Sequence, residues 1–183
     1  TSIQWMPTLQ LILLSARNVD VLDFNNPGWF IPWQHLIQFV APDFFGNPTT
    51  LNYWGTWNYT ELVGYVGILP LVMFIFAIFF RQDKKTLFFG LGFFASLIFS
   101  LPTFFAKIPF LLDLPFISTS QPTRLLFITT FSLAVLSALG LDWFIIKRKK
   151  TIFLPALFIG SILFILWILT NSNDVNLAVS RRN

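Results

Sequence analysis

Apolar residues in this chain fall into long, nearly uninterrupted runs rather than the one-sided stripes of a soluble helix. Crossing the hydrocarbon of a bilayer takes about 20 mostly apolar residues in a helix. Runs over 62–80, 125–146 and 151–170 have that character. A fourth, 86–106, reaches the length only by continuing past Pro102. Residues 1–15 read as the exit end of a further span. The pattern predicts an all-α polytopic membrane protein with about four full transmembrane helices plus one partial. It forms a single membrane-embedded domain over 1–183 and is expected to be an internal fragment of a longer chain.

Composition strengthens the class. Mean hydropathy is +0.70, 55% of residues are hydrophobic, only 11% are charged, and Phe supplies 24 of 183 positions. A soluble fold of this size has too little interior to hide so much apolar surface. The absence of Cys excludes disulfides, thiolate metal sites and Cys nucleophiles within these residues, and the single histidine, His35, excludes a His-based metal cluster. No metal or resident cofactor is therefore expected here.

Charge sets the orientation. "RQDKK" (81–85) and "KRKK" (147–150) are tight connections that together hold seven of the twelve basic residues. By the positive-inside rule both are cytoplasmic. The loops 16–61 and 102–124, and the tail 171–183, then lie outside. Basic residues flanking spans do not suggest a nucleic-acid partner. Asp142, near the inner end of its span, reads as an interfacial charge with basic neighbours.

The two outer loops carry the unusual residues. Loop 16–61 holds Trp29, Trp33, Trp54, Trp57, Tyr53 and Tyr59, rings suited to the headgroup level. Within it "PWQHLIQFVAP" (32–42) predicts a short interfacial helix, on which His35 is either a base or ligand or a polar residue on the wet side. Asp43 reads as a turn-capping carboxylate. Glu61 is expected at a helix N-terminus, which favours a carboxylate, and amid Tyr59 and Tyr65 it is also placed to meet a sugar hydroxyl or accept a proton. Loop 102–124 is apolar but broken by four prolines, so it must lie in the interface or against protein. At its end Arg124 opens a span where a cation is disfavoured. With Thr123, Ser120, Thr119 and free backbone N–H groups it makes a candidate anion site suited to phosphate. The alternatives are an Arg snorkelling to headgroups or pairing with Asp113 or Glu61.

The segments "QWMPTLQLILLSAR", "FVAPDFFGNPTTLNYWGTWNYTELVGYVGILPLV" and "QPTRLLFITTFSLAVLSALGLDWF" resemble the bacterial YfhO-type membrane proteins. The resemblance implies a GT-C-like architecture and a glycosyltransferase of the cell membrane. Such proteins move a sugar from a polyprenyl-phosphate carrier, the donor substrate, to a cell-envelope glycopolymer of the teichoic-acid type on the extracytoplasmic face. It also implies that the catalytic acidic residue lies in an earlier outer loop, so no catalytic residue is assigned here. The substrate-binding candidates are Arg124, Glu61, Thr123, His35 and Tyr65. The partners would be membrane lipid, the lipid-linked sugar and the polymer acceptor. A lipid-linked-sugar transporter or flippase, and a non-catalytic membrane assembly subunit, are the alternative readings.

Overall fold

The computed structural model describes residues 2–14, 29–56, 58–112, 120–147, 150–171 and 175–182, and the regular elements among them are all helical. Residues 16–28 of the aromatic loop, Trp57, Asp113 and Thr119 lie outside the described residues. The α-helices are α1 (Ser2–Leu14), α2 (Tyr59–Leu62), α3 (Ile68–Phe80), α4 (Lys84–Ser100), α5 (Phe104–Leu111), α6 (Leu126–Lys147), α7 (Phe153–Thr170) and α8 (Val175–Arg182). Two stretches, Pro122–Lys147 and Phe153–Thr170, are long and apolar enough to cross a membrane. The bent pair Lys84–Ser100 and Phe104–Leu111 makes a third if it counts as one span. Large apolar side chains of α4, α6 and α7 are exposed on the outer faces of these helices, including Phe88, Phe131 and Trp167. That exposure suits contact with lipid.

Helix boundaries depart from the expected spans in two places, both beside prolines. The helix expected over 62–80 begins only at Ile68, after non-helical backbone at 63–67. Pro70 has no N–H to give Val66, so an α-helix through 66–70 would lose a bond and meet a ring clash. Gly67 takes the turn with φ of 109°, a region that favours glycine. The resulting α3 has 13 residues, about 20 Å of rise and less than the hydrocarbon thickness. Likewise α4 does not continue to 106. Leu101 precedes Pro102 and is extended (φ −88°, ψ 157°), as the pre-proline clash requires. The chain then turns by 66° into α5, whose first turn is capped by Thr103 accepting from the Ala106 N–H at 3.2 Å.

Helix α6 is the axis of the packing. Its buried residues Thr129, Ser132, Leu133, Leu136, Ser137 and Gly140 recur every three or four positions and form one face. Small residues on that face let backbones approach. Ser137 Oγ donates to the Pro70 carbonyl of α3 at 2.7 Å, and the Thr129 and Ser96 hydroxyls share a hydrogen bond of 2.8 Å between α6 and α4. Leu133, Leu136, Val72, Leu71 and Phe93 fill the space around them.

Loops gather at two opposite ends of this bundle. At one end, the Ile31 N–H donates to the carbonyl of Ser100 at the close of α4 (2.9 Å), the Thr123 hydroxyl donates to Glu61, and Ser180 of α8 donates to the Phe44 carbonyl. The three segments expected outside thus share one end. At the other, Arg81 donates through Nε to Asp83 at 2.9 Å and through Nη1 to Asp142 at 2.8 Å and to the Leu139 carbonyl at 2.7 Å. Asp142 therefore pairs with a cation 61 residues away, across two helices. Hydrogen bonds from Thr86, helped by Arg81, hold the Asp83 carboxyl down at about 2; Asp83 also caps α4.

A Cβ on Gly140 would collide with the Met73 backbone carbonyl, whereas one on Gly160 meets nothing within 4 Å. Gly140→Ala is expected to destabilise the fold by about 1–3 kcal/mol through overpacking. Gly160→Ala should leave it unchanged or raise it by up to about 1 kcal/mol through helix propensity. Thermal unfolding of the two variants in one detergent checks both.

Candidate anion site at the Arg124 end

The aromatic loop folds into a cap over this end. Trp33–Phe39 form a short helix after Pro32, where one was expected, and it is of the 3-10 type. Its inward face buries His35, Gln38 and Phe39. His35 is 1% exposed and stacks on Phe45, with ring centroids 4.3 Å apart. Its Nδ1–H donates to Gln38 Oε1 at 2.6 Å, while Gln38 Nε2 donates to the Pro42 carbonyl at 3.0 Å. That leaves Nε2 to accept the Thr56 N–H at 3.3 Å. Both nitrogens are spent, so His35 stands neither on a wet face nor free as a base. It fastens the 53–56 turn to the helix.

A second network holds the other side of the cap. Tyr59 donates its hydroxyl to Asp43 Oδ1 at 2.6 Å, and Asn47 Nδ2 donates to the same oxygen at 3.1 Å. Burial and the Asp43 carboxylate push the Tyr59 hydroxyl up to about 12. Asp43 thus stabilises the turn, as expected, and also ties it to Tyr59 sixteen residues on.

Beyond the cap, chain segments from 58–64 and 120–126 meet. Gly64 allows this closeness: a Cβ there would stand 2.7 Å from the Phe39 ring and 3.1 Å from a Leu126 methyl. Glu61 sits in the four-residue helix α2 and not at the start of the following span. It accepts from Thr123 Oγ1 at 3.3 Å. Thr123 is 1% exposed and holds Glu61 rather than presenting its hydroxyl to a ligand. Arg124 follows in a 3-10 turn, Pro122–Leu125, which leads into α6.

The backbone contributes less to an anion site than the sequence suggests. Pro122 has no N–H, the Arg124 N–H is taken by the Gln121 carbonyl at 3.2 Å, and the Leu126 N–H turns back to Thr123 and Arg124. The side chain is what remains. Arg124 is exposed and has no ion-pair partner among the described residues, Glu61 included. Arg124 borders two cavities. One, about 370 Å³, is lined by Thr60, Glu61, Val63, Thr123, Leu126, Phe127 and Thr130. The other, about 420 Å³, runs along Phe99, Ala106, Pro109, Phe110, Ser120 and Leu125.

Of the sequence candidates, the structure brings Arg124, Glu61 and Thr123 together and leaves two apart. Tyr65 is exposed on the 63–67 segment and does not line either cavity. His35 borders a separate cavity of about 460 Å³ with Phe44, Phe45 and Trp54. Thr60 and Thr130 were not legible as site residues, because nothing in their local sequence tells that the two segments meet. Among the described residues no group of three His, Asp or Glu is placed to hold a metal ion.

No family model matches the chain, and neither the curated proteins nor the solved structures contain a match.

Burial lowers the His35 pKa below its ordinary 6.5. As pH falls, the unfolded chain then takes up its proton before the folded one does. This contribution to stability is complete above pH 6.5 and is lost below it, when the imidazolium can no longer accept from Thr56. Amide exchange over 53–56 is expected to accelerate as pH falls below 6.5, beyond the change in intrinsic exchange chemistry. His35→Asn should flatten that dependence.

Proposed function

We propose that the Arg124 end works at the outer leaflet on a polyprenyl-phosphate-linked sugar, which the protein transfers to a cell-envelope glycopolymer. The observation that carries this reading is that Arg124, exposed and with no ion-pair partner among the described residues, borders a cavity also lined by Glu61, Thr60 and Thr130. Arginine's planar fork suits phosphate oxygens. In the transfer, an acceptor hydroxyl attacks the anomeric carbon, the bond from that carbon to the phosphate oxygen breaks, and the phosphate leaves with the bonding pair. Arg124 stabilises the charge that develops there. Glu61, steadied by Thr123, accepts hydrogen bonds from sugar hydroxyls, and the base that takes the acceptor proton comes from outside this set. The expected roles of His35 and Tyr65 in substrate binding have no support in their positions.

Transport of the lipid-linked sugar is the weaker reading. Ion-coupled transport favours ionisable groups near the bilayer midplane. Helices α3 and α7 carry none; those of α4 are Lys84 and Lys85 in its first turn, and those of α6 are Lys147 at its end and Asp142 five residues earlier.

Arg124→Gln is expected to lower transfer from a polyprenyl-phosphate donor by about 10²-fold or more, with unfolding temperature unchanged because the side chain is exposed. Arg124→Lys should recover part of the rate, since a point charge replaces the fork only in part. Transfer by Arg124→Gln at the native rate removes Arg124 from the mechanism.

A further inference from the structure

A groove of about 490 Å³ runs between α3 and α4 at the Arg81 end, far from the candidate sugar site. Its lining changes character along α4. The connecting loop and first turn supply Arg81, Asp83 and Lys84, and the next turns supply Leu87, Leu91 and Phe94. Lys84, Leu87, Leu91 and Phe94 follow helical spacing and so share one face. Opposite them stands Ile78. Gly90, with no side chain, leaves the floor between the helices open; a Cβ there would meet only the Ile78 terminal methyl, at 3.3 Å.

Charge at the mouth is not balanced internally. Arg81 is shared by Asp83 and Asp142, a trio with a net charge of −1. Lys84 is exposed and has no ion-pair partner among the described residues, and exposed Lys85 and Lys147 stand at the same end. The mouth is therefore net positive. From Lys84 to Phe94 the helix rises about 15 Å, half of the roughly 30 Å hydrocarbon core. That is the depth of one leaflet.

We propose that this groove seats one anionic glycerophospholipid, its phosphate on Lys84 and one acyl chain along Leu87, Leu91 and Phe94. A charged head with a chain one leaflet deep matches both halves of the groove. A zwitterionic lipid of the same chains matches only the apolar half. The site would fix the α3–α4 pair at the basic face of the membrane, where a negative surface potential already concentrates such lipids.

Native mass spectrometry of the purified protein, titrated with dioleoylphosphatidylglycerol or dioleoylphosphatidylcholine, tests this directly. The expected result is one retained phosphatidylglycerol in clear preference to phosphatidylcholine. Lys84→Gln, an exposed change that leaves the fold intact, should cut that preference about fivefold, the worth of one basic residue beside anionic headgroups. Leu91→Trp, which fills the apolar half, should reduce retention of both lipids. Equal retention of the two lipids by the native protein, or an undiminished preference in Lys84→Gln, overturns the proposal. Retention of neither lipid overturns it too, because the groove would then be covered by protein.

Discussion

The close approach of α3 to α6 at Gly140 is the contact from which the rest of the geometry follows. In a bilayer the solvent around a helix is as apolar as its side chains, so association rests on packing and interhelical hydrogen bonds rather than on hydrophobic burial. Gly140 brings the Met73 carbonyl against the α6 backbone, and Ser137 reaches Pro70 from the same face. The Ser96–Thr129 bond then ties α4 to the adjoining strip of α6. With three helices registered along one axis, the two ends of α6 become fixed points. Thr123 and Arg124 are delivered to one and Asp142 to the other.

Each end uses that registration differently. At the Arg81 end the charges are consumed by one another: a guanidinium whose side chain is 13% exposed spans two carboxylates and lies over Trp143, 6.0 Å from the ring centre. This is a clamp. At the Arg124 end the cation has no ion-pair partner among the described residues, while the neighbouring carboxylate is steadied by a buried threonine hydroxyl. A charge beside cavities with no partner among the described residues is a more telling feature than a paired one, because its solvation is available to be exchanged for a ligand's. That contrast, more than the abundance of rings in the outer loop, underlies the proposed phosphate-binding role.

The class of the protein was legible in the lengths of the apolar runs, because bilayer thickness imposes a period that sequence must obey. Helix ends were less so. Pro70 and Pro102 are plain in the sequence, yet an apolar run reads through them unless their local cost is applied to the backbone. His35 shows a deeper difficulty. Its burial depends on Gln38 and Thr56, and the Thr56 contact spans 21 residues. No local pattern separates that histidine from one on a wet face. The Arg81–Asp142 pair, the Glu61–Thr123 contact and the threonines beside Arg124 share this character. They are created by the registration of helices, which a single sequence does not display.

The proposed function requires the Arg124 and Arg81 ends to lie on opposite faces of a membrane, with Arg124 outward. The chain has no cysteine, so single cysteines at exposed positions report sidedness cleanly. Thr49→Cys, Ser120→Cys and Gln82→Cys variants would be treated with a membrane-impermeant maleimide on intact cells. With Arg124 outward, positions 49 and 120 are labelled in intact cells and position 82 only after the cells are opened. Labelling at position 82 alone in intact cells would contradict it and place Arg124 on the cytoplasmic face.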